Sequence, residues 1–289
     1  MVALTIFLVK EHRLPSPASK DLAHWRGMET LSNVLQARQP EVEVHVPVVA
    51  GIIARRLLVN YRVAPDALAR LLPPPFRPQV VGEYGVAGIC LIGLRAVRPR
   101  GMPAAFGLAS ENAAHRIAVQ WDDDGATRRG VFIPRRDTSS RINIALGGRV
   151  FPGVHHLAEF TVREDDDHIA VSLVSEDGET RVAVEGHVSA ALPRNSVFGS
   201  LAAASTFFEA GALGYSVGRR PGVYDGLELT TSEWAVSPLA IDRVASTFFD
   251  DRATFPSGSV AFDCALLMRN VAHEWHARGT ITADAITAR

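Results

Sequence analysis

The residues best suited to proton chemistry fall in two short stretches. One is Pro152-Gly153-Val154-His155-His156-Leu157, where two imidazoles follow a Pro-Gly turn and open an expected strand. Successive strand residues point to opposite faces, so at most one of the two histidines can face a given pocket. Alternation groups His156 with Val154, Ala158 and Phe160 on an apolar face, and His155 with Glu159 and Thr161 on a more polar one. The other stretch is Ser110-Glu111-Asn112-Ala113-Ala114-His115-Arg116, a polar island in apolar surroundings. As a strand it places Glu111 and His115 on one face and Asn112 and Arg116 on the other. Burial would raise the glutamate pKa toward neutrality, as an acid-base group requires. Pairing of Glu111 with an arginine such as Arg95 or Arg116 is the structural alternative, and a core histidine satisfied by a carbonyl is the alternative for His156.

Arg135-Arg136-Asp137 offers guanidiniums that can grip a carboxylate or phosphate, or else a solvated turn with a capping aspartate. His273-Glu274-Trp275-His276 spaces its histidines three apart, not the four that put two zinc ligands on one helical face, so a zinc site is not expected there. A mononuclear site joining His115, His155 or His156 and Glu111 is conceivable, but no spacing demands it. Gly-x-Ser-x-Gly, Walker and Cys-x-x-Cys motifs are absent, and Gly107-Leu108-Ala109-Ser110-Glu111 is no dinucleotide fingerprint. No cofactor and no metal are therefore expected.

The chain of 289 residues is 47% apolar with a formal net charge of -1, enough for a substantial core. It has no long basic tract, so neither nucleic acid nor an anionic membrane surface is an expected partner. Cys90 and Cys264 are the only cysteines and lie in apolar runs, which suits a reducing cytoplasm. Lys10 and Lys20 are the only lysines. The apolar run 1–9 is too short to span a bilayer and lacks the marks of a signal peptide. Residues 1–46 are expected to form a loosely ordered extension in which Met28 is a second candidate start. A single domain is expected over 47–278, followed by a tail at 279–289.

Strands are expected up to Asn60-Tyr61-Arg62, over 84–97 with glycines at 85, 88 and 93, over 112–121, at 131–133 and from His155 onward. A hairpin turns at Asp177-Gly178, and further strands cover 234–239, 244–249 and 260–268. Short helices are expected after Pro65, up to Leu146 with Asp137 or Thr138 as cap, and over 197–210 capped by Asn195 or Ser196. Many strands, few helices and no regular alternation of the two indicate a predominantly antiparallel, barrel-like α+β domain.

The run from Tyr61 to Phe76, with Gly85-Val86-Ala87-Gly88-Ile89-Cys90, the 110–116 segment, Pro134 to Ser140 and Phe262-Asp263-Cys264, resembles acetoacetate decarboxylase-like proteins. More narrowly, residues 50–276 resemble the YqjF-like group of uncharacterised bacterial proteins in that superfamily. The resemblance implies an antiparallel cone around a central apolar cavity. In the decarboxylases a Gly-Arg segment precedes a Lys-Lys pair whose first lysine forms a Schiff base. Here Gly148-Arg149 leads to His155-His156, matching His155 to the reactive lysine, and Glu111 corresponds to the decarboxylase glutamate. Schiff-base chemistry needs a primary amine, and 21–289 contains no lysine.

Two functions follow as expectations. One is an enzyme acting on a small carbonyl or carboxylate compound, with Glu111, His155, His156 and His115 as proton-transfer candidates and Arg116 and Arg135 as anion holders. The other is a noncatalytic binding protein using the same cavity. A homo-oligomer is compatible with the apolar strand edges.

Overall fold

The computed structural model describes residues 48–146, 151–218 and 220–283. The expected extension over 1–46 and the Gly148-Arg149 segment lie outside the described residues. Branched and alternating apolar runs form the long strands β1 (Val49–Val63), β4 (Tyr84–Pro99), β5 (Leu108–Asp123) and β6 (Ala126–Thr138). Between the first two lie helix α1 (Pro65–Ala69) and the two-residue strands β2 (Arg77–Pro78) and β3 (Val80–Val81). Helix α2 (Arg141–Leu146) leads to β7 (His155–Glu164), β8 (His168–Ser175) and β9 (Arg181–Val188). Helix α3 (Leu201–Ala210) precedes β10 (Leu213–Val217), β11 (Val223–Thr231) and β12 (Ser237–Ser246). Helix α4 (Thr247–Asp250) and the long β13 (Val260–Thr282) complete the order.

Among the described residues all pairings are antiparallel except two, β6 with β7 and β6 with β10. The sheet closes on itself twice. β13, β1, β4, β5 and β6 form a wall shared by a seven-strand ring completed through β10 and β11 and a nine-strand ring completed through β7, β8, β9 and β12. The fold is thus ring-like and largely antiparallel, without being a single strict barrel.

The shared wall is apolar on both faces because both rings need filling. Leu57, Leu91, Ile117, Val171, Val184 and Leu267 belong to the core reached by the nine-strand ring. Leu58, Cys90, Ile92, Phe208, Leu266 and Met268 belong to a second cluster on the other face. Gly88 shows how tightly the wall packs: a Cβ there would lie 2.3 Å from the carbonyl oxygen of Val59.

Three local expectations need correction. Ser140, not Asp137 or Thr138, caps α2, accepting from the Asn143 N–H at 3.2 Å. Asp137 is a buried strand residue held by Arg135 and has no freedom to cap. Ser200, not Asn195 or Ser196, caps α3, accepting from Ala203 at 3.2 Å, while Ser196 is bonded to Asp263. Phe248 and Phe249 turn into α4 instead of continuing β12, stacking Phe249 on Tyr61 at 4.0 Å.

Candidate functional site

A cavity of about 950 Å³, open space at its mouth included, lies on the seven-strand face of the shared wall. Every strand of that ring contributes a lining residue, among them Arg56 from β1, Cys90 from β4, Arg116 from β5, Arg136 from β6, Leu227 from β11 and Trp275 from β13. Phe208 of α3, Phe151 and His155 close further sides. The surface is mostly hydrocarbon with a few polar groups, the usual composition of a small-molecule site.

The polar groups are unusual in sign. Arg116 is 8% exposed; its Nη2 donates to Asn60 Oδ1 at 2.5 Å, its guanidinium lies over the Phe208 ring at 4.9 Å, and its Nε has no partner. Arg56 donates from Nε to Cys90 Sγ at 3.4 Å and leaves a buried Nη1 without a partner. Arg136 donates from Nε to Ser216 Oγ at 3.3 Å. Burial pushes the pKa of Arg116 and that of Arg136 down to about 10, so both stay charged at neutral pH.

Two features of backbone geometry bring Arg136 to the cavity. From Phe132 to Arg135 β6 advances three residues while β5 advances two, from Ile117 to His115. The extra residue is a bulge at Pro134, and it shifts the alternation so that Arg136 joins Val131 and Ile133 on the cavity face. The parallel pairing with β7 then sets Arg136 opposite His155 and Asp137 opposite His156. Gly153, at φ +92°, lets the chain pass close to Ser216 and Arg136, where a Cβ would lie 2.9 Å from Ser216 Cβ.

His155 Nδ1 stands 3.2 Å from the Gly153 carbonyl oxygen. A carbonyl only accepts, so Nδ1 carries the proton and Nε2 is the basic nitrogen. Burial first, and Arg136 second, lower the His155 pKa to about 4. The ring is therefore neutral at pH 7.

The other sequence candidates belong to the opposite face of the wall. His156 Nδ1 is 2.8 Å from Asp177, and Arg135 pairs with Asp137, Asp177 and Glu179. Glu111 pairs with Arg55 at 2.5 Å, not with Arg95 or Arg116; Arg55 also binds Glu164, which in turn pairs with Arg269. Burial raises the Glu111 pKa and Arg55 opposes the rise. His115 is fully buried against Phe248 and Phe249, with neither ring nitrogen partnered and its pKa lowered to about 4 by burial and by Arg135. Of the sequence candidates, Arg116 and His155 line the cavity, whereas Glu111, His115, His156 and Arg135 do not. Arg56 and Arg136 line it without having been singled out individually. Among the described residues no group of three or more histidines, cysteines or carboxylates is arranged to hold a metal ion. Among them, too, no helix is long and apolar enough to cross a membrane.

Comparison with known proteins agrees with this architecture. The family model DUF2071, described as an uncharacterized conserved protein, matches residues 53–253. An acetoacetate decarboxylase-like enzyme from Sphingomonas wittichii RW1 is similar at 13% identity and a TM-score of 0.53, over 82% of this chain and 93% of that one. The acetoacetate decarboxylase of Legionella pneumophila is similar at 13% identity and a TM-score of 0.53, over 90% and 98%. The enduracididine biosynthesis enzyme MppR, solved with pyruvate, is similar at 14% identity and a TM-score of 0.51, over 82% and 90%. At these identities the likeness establishes a common fold, the acetoacetate decarboxylase-like one. No curated protein sequence matches the chain.

Proposed function

We propose that this chain, which belongs to the DUF2071 family, is an enzyme that moves a proton on a small anionic carbonyl or carboxylate compound held in the seven-strand cavity. The observation that carries the reading is the His155 ring: Nδ1–H is given to Gly153, Nε2 is left basic, and Arg136 is its register partner. A neutral imidazole beside a fixed guanidinium can take a proton α to a carbonyl while the cation stabilises the developing enolate oxygen. Arg116 would hold the acid group, its planar donors matching a carboxylate. Schiff-base decarboxylation is not part of the proposal, because no lysine exists in 21–289. The ligand is neither nucleic acid nor lipid in this reading, and a reducing cytoplasm suits the free Cys90 and Cys264.

Binding without turnover is the second reading. It is favoured by the Glu111–Arg55 pair, which keeps that carboxylate on the far face and leaves His155 as the only histidine lining the cavity among the described residues. Proton exchange in D2O discriminates the two. Pyruvate, 2-oxobutyrate and acetoacetate are incubated with native protein and with His155→Gln, and loss of α-proton signals is followed by NMR. Catalysed exchange or turnover that falls by about 10²–10⁴-fold in the variant supports the enzyme. A metabolite that co-purifies and dissociates unchanged, with no exchange, supports the binding protein.

A further inference from the structure

The cavity carries more positive charge than one carboxylate can answer. Arg56, Arg116 and Arg136 all line it, and none has a carboxylate partner among the described residues. The lining aspartate, Asp137, has both carboxylate oxygens engaged by Arg135 on the other face. The three guanidiniums share the surroundings of one thiol. Arg56 Nε reaches Cys90 Sγ at 3.4 Å, and Arg116 and Arg136 both lie within electrostatic range of the same thiol. Two donors, Arg116 Nε and Arg56 Nη1, are buried and make no hydrogen bond. An uncompensated buried charge and an unmade buried donor both cost free energy, and a bound anion relieves both.

We infer that the cavity is built for an organic acid bearing at least two carboxylates, joined by a short chain that packs on Ile133, Leu227 and Trp275. This rests on the reading of the cavity as the substrate site and names the class of substrate. One carboxylate, adjacent to the reacting carbonyl so that the Arg136 fork spans it and the carbonyl oxygen, falls beside His155, and the second falls to Arg116 and Arg56 near Cys90. A monocarboxylate would leave at least one guanidinium buried and unanswered, so charge number selects the ligand.

Isothermal titration at fixed ionic strength tests it with glutarate and its monoamide, nearly identical in shape and one charge apart. Glutarate is expected to bind about tenfold tighter or better, and Arg116→Gln or Arg136→Gln to shrink that preference to about threefold or less. The ligand pair on native protein tests the charge requirement even where a variant fails to fold. Equal affinities, or tighter binding of the monoamide, would overturn the diacid assignment while the acid site of the proposed function stands. No binding of any mono- or dicarboxylate would overturn both. Tighter binding of propyl phosphate than of glutarate would also overturn the assignment, by putting both charges on one head group.

Discussion

Arg136 and His155 face each other across the parallel β6–β7 pair, while their chain neighbours Asp137 and His156 face each other on the opposite side of the same sheet. One register therefore sorts four polar side chains into two environments. Arg136 and His155 line a cavity, and Asp137 and His156 join an ion-pair cluster with Arg135 and Asp177.

The basicity of His155 sets a pH profile. Its lone pair is available wherever the ring is neutral, and protonation removes it as pH falls through about 4. Activity should hold level from pH 7 to near 5 and drop below that. An acid limb at 6 to 7 would assign the base to another group.

Glu111 should behave as a structural residue. Arg55 is 4% exposed and binds both Glu111 and Glu164, so Arg55→Met leaves Glu111 without its cation while Glu164 keeps Arg269, and should cost about 3 kcal/mol in chemical denaturation. Glu111→Gln keeps a hydrogen-bonding partner and should cost roughly 1 kcal/mol, with turnover per folded molecule unchanged. A large loss of turnover in Glu111→Gln would restore it to the catalytic set.

Stability should fall on mild acidification. The pKa of each of His115, His155 and His273 is lowered in the folded protein to about 4, burial being the largest cause. The unfolded rings take up protons below about 6.5 and the folded ones do not, so stability rises with pH between about 4 and 6.5. For His115 the loss from pH 7 to pH 5 is on the order of 2 kcal/mol. Urea midpoints should shift accordingly, and His115→Leu should flatten the dependence.

Borohydride should trap nothing in the cavity. With 2-oxo acids present, reduction followed by peptide mass spectrometry should find no adduct on 21–289, which contains no lysine. An adduct there would contradict the mechanism proposed.

Asp263 ties the segment before α3 to β13. It accepts from Ser196 Oγ at 2.7 Å and from the Val197 N–H at 2.9 Å, and lies 3.5 Å from Arg62. Asp263→Ala should cost about 2–4 kcal/mol by leaving these donors unmet in a buried place. Ligand affinity should fall with it, since α3 carries Phe208 onto Arg116.

The long strands were legible because β1, β4 and β5 are rich in apolar and branched residues, and β8 and β9 alternate cleanly around Asp177-Gly178. β10 escaped notice because five residues with a glycine among them carry too little pattern. The end of β6 escaped because Arg135-Arg136-Asp137 reads as a solvated turn, and nothing local announces the bulge at Pro134 that separates Arg135 from Arg136. The histidine faces were ambiguous for a better reason. Alternation sends His156 toward the face of Ala158, which is indeed core, but β7 starts against the end of β6, and there the cavity lies on the other face, that of His155 and Arg136.

Because β5 divides two interiors, its odd and even positions answer to different selection. Ala114 and Arg116 answer to the ligand cavity, while Glu111, paired with Arg55, and His115, packed on Phe248, answer to the neighbouring ring. Point substitutions are thereby insulated from one another. A register slip of the whole strand by one residue is not: it would send the ion-paired glutamate into the cavity and the cavity's arginine into the core, exchanging both sets at once.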